Sequence, residues 1–224
     1  MKPRSSFIIR FLSLIFLLQS HFFATGQYVI KPKLGFTLSR IKEPPPDLNY
    51  FYQPSCQVLK LGLQGGAGIE YDLNSFFSAE ADLLYTQKGL KDTTHLPSST
   101  FFGYEKGFRY RFHYVELPLL FHFKADQHLK LGAGPSLSYL FKAEYFYGNK
   151  KKNNSNIDYS NWDFGLVADA SWTVKRFEAG ARFTYGISKT NCVRAYDDPE
   201  LSTPVGVIGK NRSFQFYINY LIRR

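Results

Sequence analysis

The clearest pattern in the chain is the alternation of apolar and polar residues between positions 114 and 124. Apolar side chains occupy one set of alternate positions: Val115, Leu117, Leu119, Phe121 and Phe123. The other set carries mainly polar residues: Tyr114, Glu116, Pro118, His122 and Lys124. A period of two predicts a β-strand with one apolar face. Such a strand suits either a soluble sandwich core or a barrel wall with lipid outside and a polar lumen inside.

Seven further segments carry the same alternation, and each predicts a strand. They occupy residues 33–40, 58–72, 76–88, 128–142, 162–174, 177–188 and 212–222. The strand described above, which runs from about Phe108 to Lys124, brings the number of predicted strands to eight. Three connections between these segments are short turns, at 74–75, 125–127 and 175–176. The others are long loops, at 41–57, 89–107, 144–160 and 189–211.

Long and short connections therefore alternate along the chain. Bacterial outer-membrane barrels have short periplasmic turns and long external loops, and an even number of strands places both termini on the short-turn side. The pattern predicts an all-β fold, a closed eight-stranded antiparallel up-and-down transmembrane β-barrel. The alternative is a soluble exported barrel of the lipocalin type, which would bind an apolar ligand in an apolar cavity.

The first 26 residues have the features of a secretory signal peptide. A basic region, an apolar region and two small residues before the expected cleavage site follow one another: Lys2, Arg4 and Arg10, then 11–18, then Ala24 and Gly26. An N-terminal membrane anchor is the alternative, but the apolar stretch is short for a spanning helix. We expect residues 27–224 to form one barrel domain in the cell outer membrane of a Gram-negative bacterium.

Composition and charge indicate the surroundings of the protein. Aromatic residues make up 18% of the chain, which suits girdles at membrane interfaces. The formal net charge is +10, and +7 remains after the three basic residues of the signal peptide are removed. An exported chain rarely meets nucleic acid, so we expect the charge to attract anionic lipid headgroups or lipopolysaccharide. A merely solvated basic surface is the alternative.

Two tryptophans occupy opposite ends of one predicted strand. Trp162 and Trp172 lie on the same face and are separated by ten positions. That separation matches the distance between the two interfaces of a membrane crossed by a tilted strand. We predict that both are interfacial aromatics.

The polar faces of the predicted strands supply both carboxylates and cations to the barrel interior. An eight-stranded barrel is just wide enough for side chains to fill it, and charges there must be paired because burying an unpaired ion is costly. We predict a structural ion-pair network that plugs the lumen, formed by Glu70, Glu80, Asp82, Glu116, Lys130, Asp169, Glu178 and Arg182. The same inward face is expected to carry Asp72, Asp163, Lys60, Lys88, Lys124 and Lys142. A catalytic role for these charges is the alternative.

No catalytic or metal-binding motif stands out in the sequence. The mature chain contains His95, His113, His122 and His128, without an H-E-x-x-H motif or a metal pair on one strand face. Phosphate loops, Cys-x-x-Cys and Gly-x-Ser-x-Gly are also absent from the sequence. We therefore expect no catalytic residues, metal ligands or cofactor, and a protein that is not an enzyme. The alternative is a barrel enzyme that modifies outer-leaflet lipid, with His113 at its external rim.

Four sequence runs carry a resemblance to a known family. They are LGLQGGAG at 61–68, ADLLYTQKG at 81–89, YVELPLL at 114–120 and LGAGPS at 131–136. These runs resemble the PorT-like outer-membrane β-barrel family, an outer membrane protein beta-barrel domain, over nearly the whole mature chain. The resemblance implies a barrel in the outer membrane. The founding member takes part in protein secretion, but such a role does not transfer by fold.

These observations favour a non-enzymatic integral outer-membrane protein with a plugged, charged lumen and long external loops. Its expected role is structural or binding, or accessory to protein secretion or envelope assembly. Expected partners are the lipid bilayer, lipopolysaccharide, the barrel-assembly machinery and envelope or secretion complexes, and the barrel is expected to be a monomer. A small porin-like pore is disfavoured because the inward residues are long and charged.

The chain contains two cysteines, Cys56 and Cys192, which fall in the first and last predicted external loops. The first and last strands of a closed barrel pair with each other, so these two loops are neighbours around the rim. Export to an oxidising compartment permits a disulfide, and two free thiols are the alternative.

Alkylation followed by mass spectrometry of the mature protein, without reductant, distinguishes the two states of Cys56 and Cys192. A disulfide predicts that neither thiol is alkylated until reductant is added. The bridge would close a very long chain loop, for which chain entropy predicts a stabilisation of about 4–5 kcal/mol before strain. Alkylation of both thiols in the unreduced protein would show that the bridge is absent.

Overall fold

The computed structural model of the protein describes residues 28–42, 57–92, 108–147, 150–152, 157–159, 161–188, 190–194 and 205–223. The predicted signal peptide, residues 1–26, and Cys56 lie outside the described residues, as do parts of all four long connections. Across the described ranges, no helix is long and apolar enough to cross a membrane.

Eight long strands form the wall of the structure. They are β1 (Tyr28–Lys42), β2 (Lys60–Asp72), β3 (Phe77–Asp92), β4 (Phe108–Lys124), β5 (Leu129–Tyr147), β6 (Trp162–Val174), β7 (Phe177–Gly186) and β8 (Val205–Tyr220). Short strands that extend this wall are Gln57–Val58, Lys150–Lys152, Ile157–Tyr159, Thr190–Arg194 and Ile222–Arg223.

The strands β3, β5 and β8 extend further toward the long connections than the alternation predicts. We call this end of the barrel the external end and the opposite end the periplasmic end, following the loop rule of such barrels. Outward positions near the external end carry charged residues such as Lys91, Arg109 and Lys210. The contrast between an apolar and a polar face is lost there, so the sequence pattern stops before the strands do.

Each strand pairs antiparallel with the next one in the chain, and β1 also pairs with β8. This closing seam runs without interruption from Lys33 opposite Asn219 to Lys42 opposite Lys210. The short strand Ile222–Arg223 continues it by pairing with Val29 and Ile30. Closure removes the sheet edges, which a barrel in lipid requires because no water is present there to satisfy free backbone groups. The predicted eight-stranded antiparallel barrel is therefore confirmed.

The barrel is apolar on its outside and polar on its inside. Leu34 is 74% exposed on the outer surface, whereas Glu116 and Gln215 on the inner surface have no exposure. Along β6 the burial alternates at every residue from Trp162 to Trp172, which is the period of two expected for a strand with two different environments. This distribution is the reverse of a lipocalin-like barrel, whose cavity is apolar.

A register shift between His113 and Tyr114 changes which residues of β5 face inward near the external end. Before the shift Leu140 points inward, and after it Glu144 lies opposite the outward-facing Arg111. The prediction that Lys142 lies on the inward face is wrong. Lys142 is opposite His113, and its side chain is 54% exposed.

An apolar cluster fills the lumen close to the external end. Its members come from four strands and are Ile41, Leu90, Tyr110, Phe112, Tyr114 and Leu140. The alternation of the sequence does not predict this cluster, because it implies an inward face that is polar along its whole length. The lumen thus contains two layers, a charged layer below and an apolar layer above.

Two groups of aromatic side chains encircle the outer surface. Tyr85, Tyr139, Trp162 and Tyr185 form the group that we call the external belt, and Tyr139 contacts Trp162 with ring centroids 4.9 Å apart. At the periplasmic end Trp172 stacks on His128, and Phe177 contacts Tyr220. Ten residues of strand between Trp162 and Trp172, at about 3.3 Å per residue and a tilt of about 40°, span about 25 Å of membrane thickness.

Two inward-facing glycines make room for large rings. Gly180 lies opposite Tyr217, and a Cβ at Gly180 would come within 2.3 Å of the Tyr217 ring. Gly132 lies opposite His122, and a Cβ there would come within 2.2 Å of the His122 ring. Each ring therefore lies against the opposite glycine, and a larger residue in place of that glycine would displace the ring.

Replacing Gly180 with alanine is expected to destabilise the barrel by about 1–3 kcal/mol, the usual cost of overpacking. Urea unfolding in lipid vesicles, followed by tryptophan fluorescence, measures the effect. Gly65→Ala is the matched control, because a Cβ at Gly65 would meet the end of the Leu34 side chain at 3.3 Å and the backbone oxygen of Lys33 at 3.8 Å, an ordinary van der Waals distance. Equal stability of the two variants would contradict the close packing of Tyr217 on Gly180.

Candidate functional site: the charged lumen

The first strand supplies the ammonium groups around which the charged layer forms. Lys31 and Lys33 both point inward from β1 and are 1% exposed. The Nζ of Lys31 lies 3.0 Å from a carboxylate oxygen of Glu70 and 2.7 Å from one of Glu178. It also contacts Glu80. One ammonium group on β1 thus binds carboxylates from β2, β3 and β7.

Lys33 forms a second bridge one step closer to the external end. Its Nζ lies 3.0 Å from Glu80 and 2.6 Å from Asp82, and it is 4.5 Å from the centre of the Tyr217 ring. Because Glu80 contacts both Lys31 and Lys33, the two ammonium groups belong to one continuous network.

Arg182 crosses the lumen from β7 and is 1% exposed. Its Nε donates to Asp169 at 2.8 Å, and its Nη1 donates to Asp82 at 2.9 Å. The hydroxyl of Tyr217 donates to Asp169 at 2.8 Å, and Nε2 of His122 lies 3.5 Å from the same carboxylate. Strands on opposite sides of the barrel are therefore connected through a single guanidinium group.

Lys130 completes the charged layer toward the periplasmic end. It donates to Glu70 at 2.8 Å and contacts Glu178. The hydroxyl of Ser78 donates to the other oxygen of Glu70 at 2.6 Å. A recess of about 450 Å³ opens at the periplasmic end, and its lining includes Glu70 and Lys130, so it ends at the network.

Glu116 lies above this layer, and the structure gives it no exposure. It lies 3.2 Å from the ammonium of Lys88 and accepts hydrogen bonds from Ser136 at 3.2 Å and Gln215 at 3.3 Å. Closer to the external end, Asn211 donates to Asp163 at 2.6 Å. The apolar cluster begins at this height, because Asn211 also donates to the Tyr114 hydroxyl at 3.2 Å.

The charges of the lumen are close to balanced. Among the described residues that face the lumen, the buried cations are Lys31, Lys33, Lys60, Lys88, Lys130 and Arg182, and the buried acids are Glu70, Glu80, Asp82, Glu116, Asp163, Asp169 and Glu178. Removing one member of a buried pair typically costs 3–5 kcal/mol, because an uncompensated charge is left behind. The network is therefore a set of interdependent contacts that closes the lumen.

One group in the lumen has the composition of a metal site. Among the described residues, Glu70, Glu80 and His122 bring one ligand atom each within 4.8 Å of one another. The ammonium of Lys31, however, already contacts both of these carboxylates. A divalent cation would have to displace this ammonium group, so we assign the residues to the ion-pair network.

All eight residues proposed from the sequence for the lumen network lie inside the barrel and contact one another or their neighbours. Lys31 and Lys33 are absent from the predicted network, because the first strand was predicted to begin at residue 33 and only its apolar face was used. If the alternation is continued back toward Gln27, both lysines fall on the same face of the strand as Thr37 and Ser39, which is the inward face. Trp162 and Trp172 lie on the outer surface, while the side chains of Cys56 and Cys192 fall outside the described part of the structure.

His113 faces outward above the external belt. Its Nδ1 lies 2.7 Å from the hydroxyl of Tyr85, and its Nε2 lies 3.4 Å from a carboxylate oxygen of Glu144. The sequence did not reveal these partners, because the register shift in β5 is what brings Glu144 to this surface. The three side chains join β3, β4 and β5 just where the barrel wall changes register.

Comparison with solved structures shows the same fold in other barrels. OprG of Pseudomonas aeruginosa is similar with a TM-score of 0.52 and 11% identity, covering 88% of this chain and 96% of that one. Ail of Yersinia pestis, solved with the heparin analogue sucrose octasulfate, has a TM-score of 0.43 and 13% identity, covering 88% and 99%. The outer membrane protease OmpT of Escherichia coli has a TM-score of 0.34 and 12% identity, covering 88% and 96%.

At these identities the likeness concerns the fold alone, and a fold does not decide whether a protein is an enzyme. No curated protein matches the sequence significantly. The family described as outer membrane protein beta-barrel domain matches residues 19–191, well over half of the chain. The closed barrel with its apolar exterior is thus an outer-membrane barrel, and the chain belongs to the outer membrane protein beta-barrel domain family.

Proposed function

We propose that this protein is a non-conducting, non-enzymatic outer-membrane barrel that acts as a structural or binding component of the cell envelope. The observation that carries the proposal is the position of Arg182, which joins carboxylates on β3 and β6 across the lumen at 2.9 and 2.8 Å, respectively. With the interior occupied by this network and by the apolar cluster above it, the surfaces left for partners are the outer wall and the two ends of the barrel.

The finer proposal is that the barrel is PorT-like and accessory to protein secretion or envelope assembly. Its support is the sequence run YVELPLL at 114–120 and the glycine-rich runs in β2 and β5. Crosslinking in living cells, followed by purification of the tagged barrel and mass spectrometry, tests this role. Recovery of the barrel without envelope or secretion proteins would count against it.

The soluble lipocalin-like alternative does not fit a barrel whose outside is apolar and whose interior is charged. The lipid-modifying alternative has one specific observation in its favour, the contact of His113 with Tyr85 and Glu144. We favour a structural role for this trio, because His113 is 8% exposed and its ring contacts those of Tyr85 and Phe141. A His113→Ala variant that keeps its fold but loses a lipid-hydrolysing or acyl-transferring activity of the native protein would reverse this preference.

Planar-bilayer recording tests the closed lumen. The reconstituted protein is expected to show no steady open conductance at moderate voltage, because the charged layer and the apolar cluster both occupy the lumen. Empty bilayers and a general porin serve as the negative and positive controls. Steady conductance steps from the native protein would reject the non-conducting barrel.

Arg182→Met is expected to destabilise the barrel by about 3–5 kcal/mol, because Asp82 and Asp169 would lose a buried partner. The matched control is Lys124→Met, which breaks a partly exposed pair with Asp72 at 2.7 Å and is expected to cost about 1 kcal/mol or less. Urea unfolding in vesicles compares the two variants. Adding Asp169→Asn to Arg182→Met is expected to recover part of the loss, and similar stability of both single variants would contradict the network.

A further inference from the structure

Like charges face each other across the closing seam near the external end. Arg40 on β1 lies directly opposite Arg212 on β8, on the outward face, and Lys210 lies two positions before Arg212 on β8, closer to the external end. Directly opposed like charges destabilise a pair of strands. Among the described residues, no carboxylate lies within salt-bridge distance of these three side chains. We call Arg40, Lys210 and Arg212 the seam patch.

A second basic group lies on the outward face of β4 and β5. The guanidinium groups of Arg109 and Arg111 both lie over the ring of Phe146, at 4.7 and 5.2 Å from its centre. Lys142 is exposed beside them, and Lys91 lies opposite Arg109. We call Arg109, Arg111 and Lys142 the hairpin patch. A guanidinium group that lies over an aromatic ring can still donate its N–H groups to a ligand.

The outer wall near the external end has few acidic groups to balance these cations. Of the acidic side chains that the structure describes, Glu144 alone lies on this surface, 3.7 Å from Arg111 and 3.0 Å from Lys142. One carboxylate therefore faces the three cations of the hairpin patch. The interior is different, because its charges are close to balanced. Among the described residues, the outer wall near the external end thus carries an excess of positive charge that the lumen lacks.

The two patches lie at the height of the membrane interface. Arg212 is opposite Tyr185 of the external belt, and its guanidinium carbon lies 4.9 Å from the centre of that ring. Lys142 is three residues beyond Tyr139, another member of the belt. Aromatic belts mark the level of the headgroups, so the cations lie where the headgroups of the outer leaflet begin. Lipid rather than a soluble partner is the neighbour at this height.

We propose that the seam patch and the hairpin patch bind the phosphate groups of an outer-leaflet phosphoglycolipid, the lipid A portion of lipopolysaccharide. Arginine binds phosphate through two parallel N–H groups, and a phosphate carries enough charge to bridge opposed cations such as Arg40 and Arg212. Lipid A places phosphates at the headgroup level with acyl chains below, which matches basic residues above an apolar wall. The assignment rests on the proposed function in one respect, that the long connections face the cell exterior.

Native mass spectrometry of the folded mature barrel in mild detergent tests the proposal with three probes: bisphosphorylated lipid A, enzymatically dephosphorylated lipid A and phosphatidylglycerol. The native protein is expected to retain lipid A and to lose it as salt is raised, because screening weakens exposed charge pairs. The triple variants R40Q/K210Q/R212Q and R109Q/R111Q/K142Q are each expected to retain lipid A at least about tenfold less, which corresponds to the loss of one charge-assisted hydrogen bond.

The control variant K175Q/R176Q/R223Q removes the same number of positive charges from the opposite, periplasmic end and is expected to bind lipid A as the native protein does. Heat-modified migration on gels verifies that every variant is folded. Native-like binding by both triple variants, or equal binding of dephosphorylated lipid A, would overturn the proposal. Equal retention of phosphatidylglycerol would overturn the assignment to a glycolipid.

Planar-bilayer recording on the same samples keeps the two proposals separate. An open conductance with lipid A binding intact would reject the closed-lumen function and leave the phosphate site standing. A silent barrel that does not retain lipid A would reject the phosphate site alone.

Discussion

The fold depends on the pairing of charges inside a narrow barrel. A carboxylate in this interior has no bulk water around it, so it is tolerated only beside a cation or several hydrogen-bond donors. Arg182, Lys31 and Lys33 provide those cations. Lys31 and Arg182 each contact acids from more than one strand, and Lys33 contacts two acids of β3. The requirement for pairing therefore fixes how the strands are arranged around the lumen, while the apolar exterior requires only that lipid be present.

The period of two was sufficient to predict the number of strands, their order and the closure of the barrel. Each face of a strand meets one environment, lipid or lumen, so the sequence records that environment directly. The clearest failure came at Lys142, where a register shift reversed the two faces. The alternation cannot reveal such a shift, because charged residues occur on both sides of the wall above the membrane.

The lumen network was predictable as a set of residues but not as a set of partners. Alternation placed Glu80, Asp169 and Arg182 on the inward face, yet it could not show which strands lie across the lumen from one another. That information depends on the stagger of the strands around the barrel. The apolar cluster that includes Phe112 and Leu140 was missed for a related reason, since an inward apolar residue resembles an interruption of the pattern.

The position of Lys31 and Lys33 on the first strand has a consequence for the order of assembly. These two lysines neutralise acids of β2, β3 and β7, but the closing seam forms only when β1 meets β8 at the other end of the chain. An open sheet that lacks this last pairing holds its acids apart from part of their counter-charge and exposes them to lipid. Partly closed barrels are therefore unstable, and insertion and closure are expected to proceed as one cooperative event. The strand β1 is then the first strand of the barrel along the chain and also takes part in the last pairing that closes it.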